Sequence, residues 1–596
     1  MPELYINRFV VGLYDMRSPL VAPTSAMGLN VIQRNDTLWD GLNIDNTHYM
    51  TLQRRCGFLR YCSTAFGSSE YPQKFFTFKD TSGTIKAMVE TPTEVAWFDT
   101  GSINNVITKT TTAQGSFVKV ADTLYYCNGT DLKKWTGGVV SNWGIVPPAT
   151  APTITTVTGG SLSPTSGYTY VYLFMNSSTG HVSTASPTSA NTLPASSVNF
   201  TVSGAGSTDP QVDQIGIYRT DDGGSVYYYL ATIANATTWT YTDSSPDTSL
   251  NTDIVAPVAD ENNPPPAGMN LCCFYLGYVW GAVGGLLYFG GGPSVTNGVP
   301  EEAWPPANVF RLPGTITAFA PTSQGLIVFT QDDAYVVLGS DIISFRPVLW
   351  QKNFGVQSQN CLSHDGDLIF AFTSKSQLYS ISGSSLSEIG FPIQGRLGAF
   401  NPTSTYLALH RSGVDEGLFI SNGTDTMYRY SMTTNSWSTK YQPVGGVHCI
   451  SSMEVTTTNY RLMLGRPTGS GYILQRDTAT FTDDGRTYPA SVTIGSIVVG
   501  QPRQAINVNA ILVDTKAIGT YPTVGILMNE ISGTFVTLPN PVQDPWELPA
   551  SSTLKMMRHD LLGNQVGMPL LARHFQLQLT WPSEAAANEL LGIGIV

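Results

Sequence analysis

The stretch LFISNGTDTMYRYSMTTNSW, residues 418–437, carries the pattern that decides the fold. An apolar run is followed by the turn sequence Asn422-Gly423, the aromatic run Met427–Tyr430, a second turn at Thr434-Asn435, and Trp437. Asn-Gly between two apolar runs is typical of a tight β-hairpin, because both residues tolerate a positive φ angle. The stretch therefore predicts short, consecutive antiparallel strands.

The same plan recurs along much of the chain, at a spacing of about 35 to 45 residues. LCCFYLGYVWGAVGGLLYFGGG, residues 271–292, is another clear copy. About two such units precede residue 147 and about five follow residue 267. A repeat of this length, built of short strands, indicates the blades of a β-propeller. We therefore expect propeller blades in residues 61–147 and 267–487.

Residues 148–266 interrupt this repeat. Proline-rich segments frame them, VPPATAPT at 146–153 and ENNPPPAG at 261–268, and we interpret both as domain linkers. Between the linkers, VDQIGIYRT (212–220) alternates apolar and polar residues, and DDGG (221–224) predicts a tight turn. The segment is expected to form one inserted β-sandwich.

The two ends of the chain differ from the repeat. Residues 1–60 predict an extended N-terminal arm that ends in strands. Residues 488–596 contain HFQLQLTW (574–581), whose alternation places its apolar residues on one face of a strand. The predicted fold is therefore all-β: a β-propeller interrupted by an inserted fibronectin/Ig-like β-sandwich, with a C-terminal β-sandwich or jelly roll.

The 596-residue chain is acidic, with 43 Asp and Glu against 31 Lys and Arg, a formal net charge of −12. This balance disfavours tight DNA binding through counterion release. The apolar runs are far shorter than the roughly 20 residues of a membrane-spanning helix, and we expect no secretory signal. The 7 cysteines include no CxxC pair, so we expect reduced thiols and neither a zinc site nor a disulfide framework.

The sequence lacks the usual catalytic motifs. GxSxG and Walker A sequences do not occur, and the 7 histidines show no metal-ligand spacing. Acidic turns such as Asp483-Asp484-Gly485 lack the calcium-binding pattern and are interpreted as hairpin turns. We predict no catalytic residue, no cofactor, no metal site and no enzymatic activity. Glycoside hydrolysis needs two converging carboxylates, for which the candidates are Glu94, Asp99, Glu388, Asp415 and Glu416.

Two further groups of side chains are candidates for binding. Arg54, Arg55 and Arg60 form the one local concentration of positive charge in the acidic chain. They are the candidate subunit contact, with a solvated strand as the alternative. Strand aromatics are candidates for stacking on sugars, although we interpret them as core and cross-strand partners; they are Trp97, Trp135, Trp437, Tyr227, Tyr228 and Tyr229.

The opening of the chain supplies a family resemblance. It contains GLYDMRSPL (12–20), LNVIQRNDTLWDGLN (29–43) and TLQRRCGFLRY (51–61), with an Arg-x-Gly strand at Arg55 to Gly57. These segments look like the start of the tail nozzle proteins of short-tailed bacteriophages, the tail tubular protein B family. The interrupted propeller with a fibronectin-like module, and the closing strands RHFQLQLTW and NELLGIGIV, are similar to their layout. More loosely, the chain resembles tail hub proteins that stabilise packaged DNA.

The resemblance implies a structural protein of the virion tail, assembled in the host cytoplasm. It implies a homohexameric ring below a tail adaptor protein, with tail fibres or spikes on its outside. Phage DNA would be retained and then ejected through the channel, without sequence-specific binding. Two alternatives stay open: a propeller glycoside hydrolase, expected as a monomer or dimer, and a binding module for host glycans or receptors.

Overall fold

The computed structural model shows a nearly all-β chain. Its helical segments among the described residues are α1 (Gln394–Leu397) and short 3-10 turns at Asp247–Ser249, Gly292–Ser294, Gln359–Cys361 and Phe391–Ile393. None of these helices has the length and apolar character needed to cross a membrane. The structure describes residues 4–6, 12–13, 37–47, 51–257, 261–294, 298–411, 416–456, 459–467, 471–498, 506–507, 510–516, 521–528, 535–538, 542–543, 554–560, 571–572, 574–586 and 589–595.

The chain divides into two compact units. Unit 1 contains residues 1–79, 83–105 and 354–596, and unit 2 contains residues 80–82 and 106–353. The four-stranded antiparallel sheets expected of propeller blades occur in both units. The inserted β-sandwich lies entirely within unit 2.

The strands before the sandwich supply arm strands and two blade sheets, β7 to β10 and β11 to β14. Their bounds are β1 (Leu4–Ile6), β2 (Gly12–Leu13), β3 (Thr37–Leu42), β4 (Ile44–Asn46), β5 (Leu52–Arg54), β6 (Gly57–Arg60), β7 (Lys74–Lys79), β8 (Ile85–Glu90), β9 (Glu94–Phe98), β10 (Ile103–Thr108), β11 (Ser116–Val120), β12 (Thr123–Cys127), β13 (Leu132–Trp135) and β14 (Val140–Asn142).

The inserted sandwich pairs a three-stranded sheet, ordered β15-β17-β20, with a four-stranded sheet, ordered β16-β18-β19-β21. Val198, Phe200 and Val202 alternate with half-buried polar residues along β17, so its apolar face packs in the core between the sheets. The strand bounds are β15 (Thr153–Leu162), β16 (Tyr170–Met175), β17 (Val198–Ala205), β18 (Gln214–Arg219), β19 (Tyr228–Ala234), β20 (Thr238–Asp243) and β21 (Asn251–Val255).

After the sandwich, consecutive strands pair with one another in five groups: β22 to β25, β26 to β29, β30 to β33, β34 to β37 and β38 to β40. Their bounds are β22 (Leu271–Tyr275), β23 (Tyr278–Val283), β24 (Leu286–Phe289), β25 (Val309–Arg311), β26 (Ile316–Thr322), β27 (Gly325–Thr330), β28 (Ala334–Leu338), β29 (Arg346–Gln351), β30 (Leu362–Asp365), β31 (Leu368–Phe372), β32 (Leu378–Ser382), β33 (Ser385–Glu388), β34 (Tyr406–His410), β35 (Gly417–Ser421), β36 (Met427–Ser431), β37 (Ser436–Trp437), β38 (Cys449–Thr456), β39 (Asn459–Gly465) and β40 (Ile473–Asp477).

The C-terminal strands join two sheets that also contain the N-terminal arm. One sheet runs β37-β2-β3-β41-β49-β44-β45, and the other runs β4-β5-β50-β43-β47-β46, with β1 also paired to β50. The bounds are β41 (Tyr488–Val498), β42 (Ile506–Asn507), β43 (Ala510–Lys516), β44 (Thr523–Met528), β45 (Val536–Thr537), β46 (Val542–Gln543), β47 (Leu554–Asp560), β48 (Leu571–Ala572), β49 (His574–Glu584) and β50 (Glu589–Ile595).

The predicted fold class is confirmed: the chain is all-β, a β-propeller interrupted by a β-sandwich, with C-terminal β-sheets. Packing between neighbouring blade sheets has the expected apolar character. In unit 2, Trp280 and Phe289 of one blade contact Phe345, which precedes the last strand of the next, with ring centroids 5.0 and 5.6 Å apart. These aromatic contacts form a core shared by two sheets.

The stretch that decided the fold differs from the prediction in one detail. The strands end at Ser421 and resume at Met427, so the connection is a five-residue loop instead of a two-residue hairpin turn. The Asn422 side-chain oxygen accepts the N–H groups of Thr424, Asp425 and Thr426, each at 3.0 Å. Asn422 therefore caps the loop through its side chain, while Gly423 supplies the positive φ of 74°.

The last blade is completed by a strand from the start of the chain. β40 pairs with β6, so that Arg476 lies opposite Phe58. The Phe58 side chain is 0% exposed and belongs to a core shared with β38 and β39. The arm is therefore tied, through β6, to β40, which lies more than 400 residues further along the chain.

Replacement of Phe58 by alanine tests this closure. We expect Phe58→Ala to lower the free energy of unfolding by about 3 to 5 kcal/mol, because it leaves a cavity in the shared core. Phe391→Ala, at a side chain that is 45% exposed, is the matched control and is expected to cost under about 1 kcal/mol. Urea unfolding of both variants measures the difference, and equal costs would contradict the closing role of β6.

Candidate functional site

The three predicted arginines lie on β5 and β6 or between them. β5 is held between β4 and β50, and Arg54 at its end is 1% exposed. Arg55 follows and is 0% exposed. Arg60, the last residue of β6, keeps 39% of its side chain exposed. Two of the three charges are therefore buried in the interior of unit 1.

Arg55 forms a two-pronged ion pair with Asp483, and both side chains are fully buried. Its Nη1 donates to Oδ1 at 2.9 Å and its Nη2 donates to Oδ2 at 2.6 Å. Nε donates to the side-chain oxygen of Asn43 at 2.8 Å. The guanidinium also lies 3.9 Å from the ring centroid of Tyr488. Such parallel, charge-assisted bonds with an aromatic contact fix the orientation of a planar guanidinium.

The Asp483 carboxylate accepts backbone bonds as well. The N–H of Val444 donates at 2.8 Å and that of Phe58 at 3.3 Å. A buried charge is tolerated only where partners replace its lost hydration. Burial by itself lowers the pKa of Arg55, but the charge and hydrogen bonds of Asp483, together with Tyr488, raise it overall, so the arginine stays charged.

Arg54 binds mainly main-chain carbonyls, and its Nη2 also lies 3.7 Å from the Glu584 carboxylate. Its Nη1 donates to the carbonyl oxygens of Tyr488 and Glu584 at 2.7 and 2.8 Å, and its Nη2 donates to that of Pro582 at 2.8 Å. These carbonyls belong to the start of β41 and the end of β49. Arg54 thus links the arm to β41 and β49 of the C-terminal sheet.

One more carboxylate, Asp45, extends this arrangement. Asp45 on β4 accepts from Arg429 of β36 at 2.8 Å and from Arg476 of β40 at 3.3 Å. Both arginine side chains are at most 6% exposed. We name Arg54, Arg55, Arg429 and Arg476, with Asp45 and Asp483, the arginine cluster. It joins the arm, two blades and the C-terminal sheets of unit 1.

Asp484 lies next to the cluster and binds Arg60. Arg60 donates to both carboxylate oxygens at 3.1 Å, and Arg466 donates to Oδ2 at 3.1 Å. Partial burial alone would raise the pKa of Asp484, but the bonds and charges of Arg60 and Arg466 lower it. Arg60 also lies 3.4 Å from the ring centroid of Tyr472. Its exposed edge is therefore held in a fixed position.

The prediction of a subunit contact at Arg54 and Arg55 was wrong. Both side chains are enclosed by partners from their own chain and present no surface to a second copy. The sequence alone does not show which carboxylates these arginines pair with, so it favours an exposed patch. The structure shows that Arg55 pairs with Asp483 in the interior. For Arg60, which is partly exposed, a subunit contact stays a prediction.

The sequence pointed to Asp483 and Asp484 without revealing their role. Asp484 and Gly485 have positive φ angles of 54° and 76°, which confirms the interpretation as a tight turn. The turn also carries two carboxylates that pair with arginines more than 400 residues away. The described residues contain no group of three or more His, Cys, Asp or Glu side chains suited to hold a metal ion.

The candidate catalytic carboxylates have local structural partners. Asp99 accepts the N–H groups of Gly101 and Ser102, both at 2.7 Å, and so shapes its turn. Glu416 lies 3.6 Å from Arg411, and Glu388 accepts from Gln377 at 3.3 Å. Asp415 lies outside the described residues.

The surroundings of Glu94 favour its protonated form. Burial, and secondly the charge of Glu70, raise the pKa of Glu94. The contacts of Asp99, Glu388 and Glu416 cap a turn and link neighbouring segments.

The interpretation of the tryptophans as core is confirmed at two positions. Trp135 and Trp437 are 3% and 1% exposed, and the Trp437 indole donates to the carbonyl of Ile389 at 2.9 Å. Trp97 is half-buried and lies beside Lys86, whose Nζ is 5.4 Å from its ring centroid. Tyr229 packs edge-on against Tyr218 at 5.7 Å. These aromatics serve as cross-strand partners.

No protein-family model and no curated protein matches the chain. Solved structures give low-scoring matches. Apo AztD from Citrobacter koseri has a TM-score of 0.28 at 11% identity, over 63% of this chain and 88% of that one. BBS1N, solved in complex with ARL6DN, has a TM-score of 0.27 at 9% identity, over 71% and 98%. The Neurospora crassa Pan2 WD40 domain has a TM-score of 0.22 at 8% identity, over 70% and 98%. Likeness at this level carries no argument about function.

Loss of one partner of the buried pair tests the arginine cluster. Asp483→Asn leaves the Arg55 charge buried without its counter-charge, and we expect it to lower the free energy of unfolding by about 3 to 5 kcal/mol. Arg411→Ala is the matched control, since the Arg411–Asp365 pair is exposed at 44% and 55%, and its loss is expected to cost under about 1 kcal/mol.

The double variant Arg55→Met with Asp483→Leu removes both charges together. It is expected to be more stable than Asp483→Asn, because no unpaired charge remains inside. Urea unfolding measures all three variants. An Asp483→Asn variant that loses no more stability than Arg411→Ala would show that the cluster is dispensable.

Proposed function

We propose that the chain is a structural protein of the virion tail of a short-tailed bacteriophage. In this proposal it forms a nozzle ring through which packaged DNA is retained and then ejected. A tail adaptor protein lies above the ring, and tail fibres or spikes attach to its outside. The protein is assembled in the host cytoplasm and stays in the virion.

One observation carries the proposal: the segment that resembles the nozzle family is the structural junction of unit 1. Arg54, Arg55 and Gly57 belong to that segment. Arg54 binds carbonyls of β41 and β49, and Arg55 binds Asp483 in the turn before β41. A Cβ at Gly57 would lie 2.0 Å from the Thr482 carbonyl oxygen, so the close approach of the two backbones requires glycine. The family-like residues are therefore those that the architecture needs.

The pairing of the chain ends also supports a structural role. β1 and β5, near the start of the chain, both pair with β50 at its end. Strand ladders of this kind separate only when several backbone hydrogen bonds break together. A ring that holds DNA under pressure needs subunits whose ends do not come loose. The interlocked ends of this chain meet that need.

Charge is compatible with passage of DNA. Six copies of a chain with net charge −12 carry about −72 in total. A passage lined by acidic or neutral groups repels the phosphate backbone, so that DNA slides without adhering. Only 12% of the residues are charged, which suits large permanent interfaces between subunits.

The size of the assembled particle tests the proposal. Native mass spectrometry of the purified protein with its tail partners is expected to show a ring of six 64.3-kDa chains, about 390 kDa before partners are added. A chain that stays monomeric with those partners would contradict the proposal. If the monomer also cleaved glycosides, and lost that activity in Glu94→Gln, the glycoside hydrolase alternative would replace it.

Arg60 provides a finer test, because it is the predicted contact residue that stays exposed. We expect Arg60→Glu to shift the population from ring to free subunits by about tenfold or more, since a rim charge reversal costs more than 1 kcal/mol at each contact. Lys79→Glu is the matched control: Lys79 is 43% exposed and paired with Glu454, as Arg60 is with Asp484. Equal ring populations in both variants would remove Arg60 from the interface.

A further inference from the structure

Three titratable side chains are buried where the inserted sandwich meets the blades of unit 2. Lys134 lies on β13, Glu302 lies between β24 and β25, and His181 lies in the sandwich, after β16. Their exposures are 4%, 2% and 0%. Each comes from a different part of unit 2, so the group exists only while the sandwich is docked on the blades.

The geometry fixes the protonation of His181. Lys134 Nζ donates to both carboxylate oxygens of Glu302, at 2.6 and 2.7 Å. His181 Nδ1 accepts the backbone N–H of Val299 at 3.0 Å. A ring nitrogen that accepts a hydrogen bond carries no proton, so the imidazole is neutral with its proton on Nε2. Nε2 is buried and has no hydrogen-bond partner among the described residues.

A second proton on this ring is incompatible with the docked arrangement. It would have to sit on Nδ1, where it would abolish the bond from Val299, and the resulting cation would lie near Lys134. Burial, and secondly the charge of Lys134, lower the pKa of His181 to about 3. An exposed imidazole has a pKa of about 6.5. Docking of the sandwich therefore excludes a proton that the undocked histidine binds.

The other contacts of the joint differ in their response to acid. Trp143 Nε1 donates to the carbonyl of Glu301 at 2.8 Å, and Gln211 Nε2 donates to the carbonyls of Asn142 and Gly144 at 3.2 and 2.9 Å. These bonds have no titratable partner. Ile145, which immediately precedes the first proline-rich linker, is 1% exposed and packs in the sandwich core, so the start of that linker is anchored.

The carboxylates that face the joint have the opposite effect of pH on docking. Burial raises the pKa of Glu301 and, against the attraction of Lys134, that of Glu302. Asp209 is close enough to contribute to the field at Glu302. A raised carboxyl pKa makes docking more favourable as the pH falls toward the ordinary value, so these groups partly offset His181. The contribution of His181 is therefore isolated by comparing variants at this one position.

We propose that His181 makes the joint between the inserted sandwich and the blades an acid-sensitive hinge, docked while the imidazole is neutral and released when it takes up a proton. This inference does not depend on the proposed function. Between the two imidazole pKa values, His181 raises the equilibrium constant for undocking about tenfold for each pH unit lost. At pH 5 its contribution is about thirtyfold relative to neutral pH.

Hydrogen exchange at the Val299 amide tests the hinge, because that N–H is bonded to His181. In the full-length protein, we expect protection of Val299, corrected for intrinsic exchange, to fall between pH 7 and pH 5 by about thirtyfold more than in His181→Asn. The asparagine oxygen takes the position of Nδ1 and accepts the same bond without titrating. The Gly290 amide, bonded to the carbonyl of Val279 at 2.9 Å, is the internal control and is expected to respond equally in both proteins.

Equal pH dependence of Val299 in the natural protein and in His181→Asn would overturn the proposal. If His181→Asn does not fold, His181→Gln takes its place. If neither folds, the natural protein alone decides: protection of Val299 must fall more than that of Gly290 between pH 7 and pH 5. A constant ratio of the two would also overturn the hinge.

Discussion

The buried ion pair between Arg55 and Asp483 is the interaction on which unit 1 depends. Both side chains are fully buried, and their bonds join the arm to the turn that follows the last blade. Burial of two charges is costly, and only a complete set of partners makes it tolerable. Asn43, Phe58 and Val444 supply those partners from three segments. The pair forms only when the arm, the blade and the turn are all in place, so it ties their folding together.

Local patterns sufficed to predict the architecture. The repeat of strand and turn, and the alternation in segments such as VDQIGIYRT (212–220), depend on neighbouring residues only. Ile215 and Ile217 of β18 pack in the sandwich core as predicted, both 0% exposed. Tyr218 and Arg219 are buried as well, so burial along β18 does not alternate. The sequence predicts a two-residue hairpin turn at Asn422, whereas the structure has a five-residue loop. The same side chain that tolerates a hairpin turn also caps a wider loop.

The buried site could not be predicted in the same way. Whether Arg55 is exposed or buried depends on Asp483, which lies 428 residues further on. No local signal connects the two, and a short basic run by itself resembles a solvated surface. The pairing of β5 with β50 likewise joins residues that are far apart in the sequence and has no local signal. Asp483 was visible in the sequence as part of an acidic turn, but its carboxylate has a second role that turn chemistry does not require.

Several charged side chains of the described residues hold segments of the fold together. Asp45 and Asp483 hold arginines, Asp99 shapes a turn, and Lys134 binds Glu302 under the sandwich. In the proposed function these contacts stabilise the wall of a ring. An electron cryomicroscopy map of the protein assembled with its proposed tail partners is the sharpest test of the proposed function. We expect a closed ring of copies around an open passage, with the ends of each chain paired as β1, β5 and β50. A solitary chain with two carboxylates converging on a cleft would contradict it.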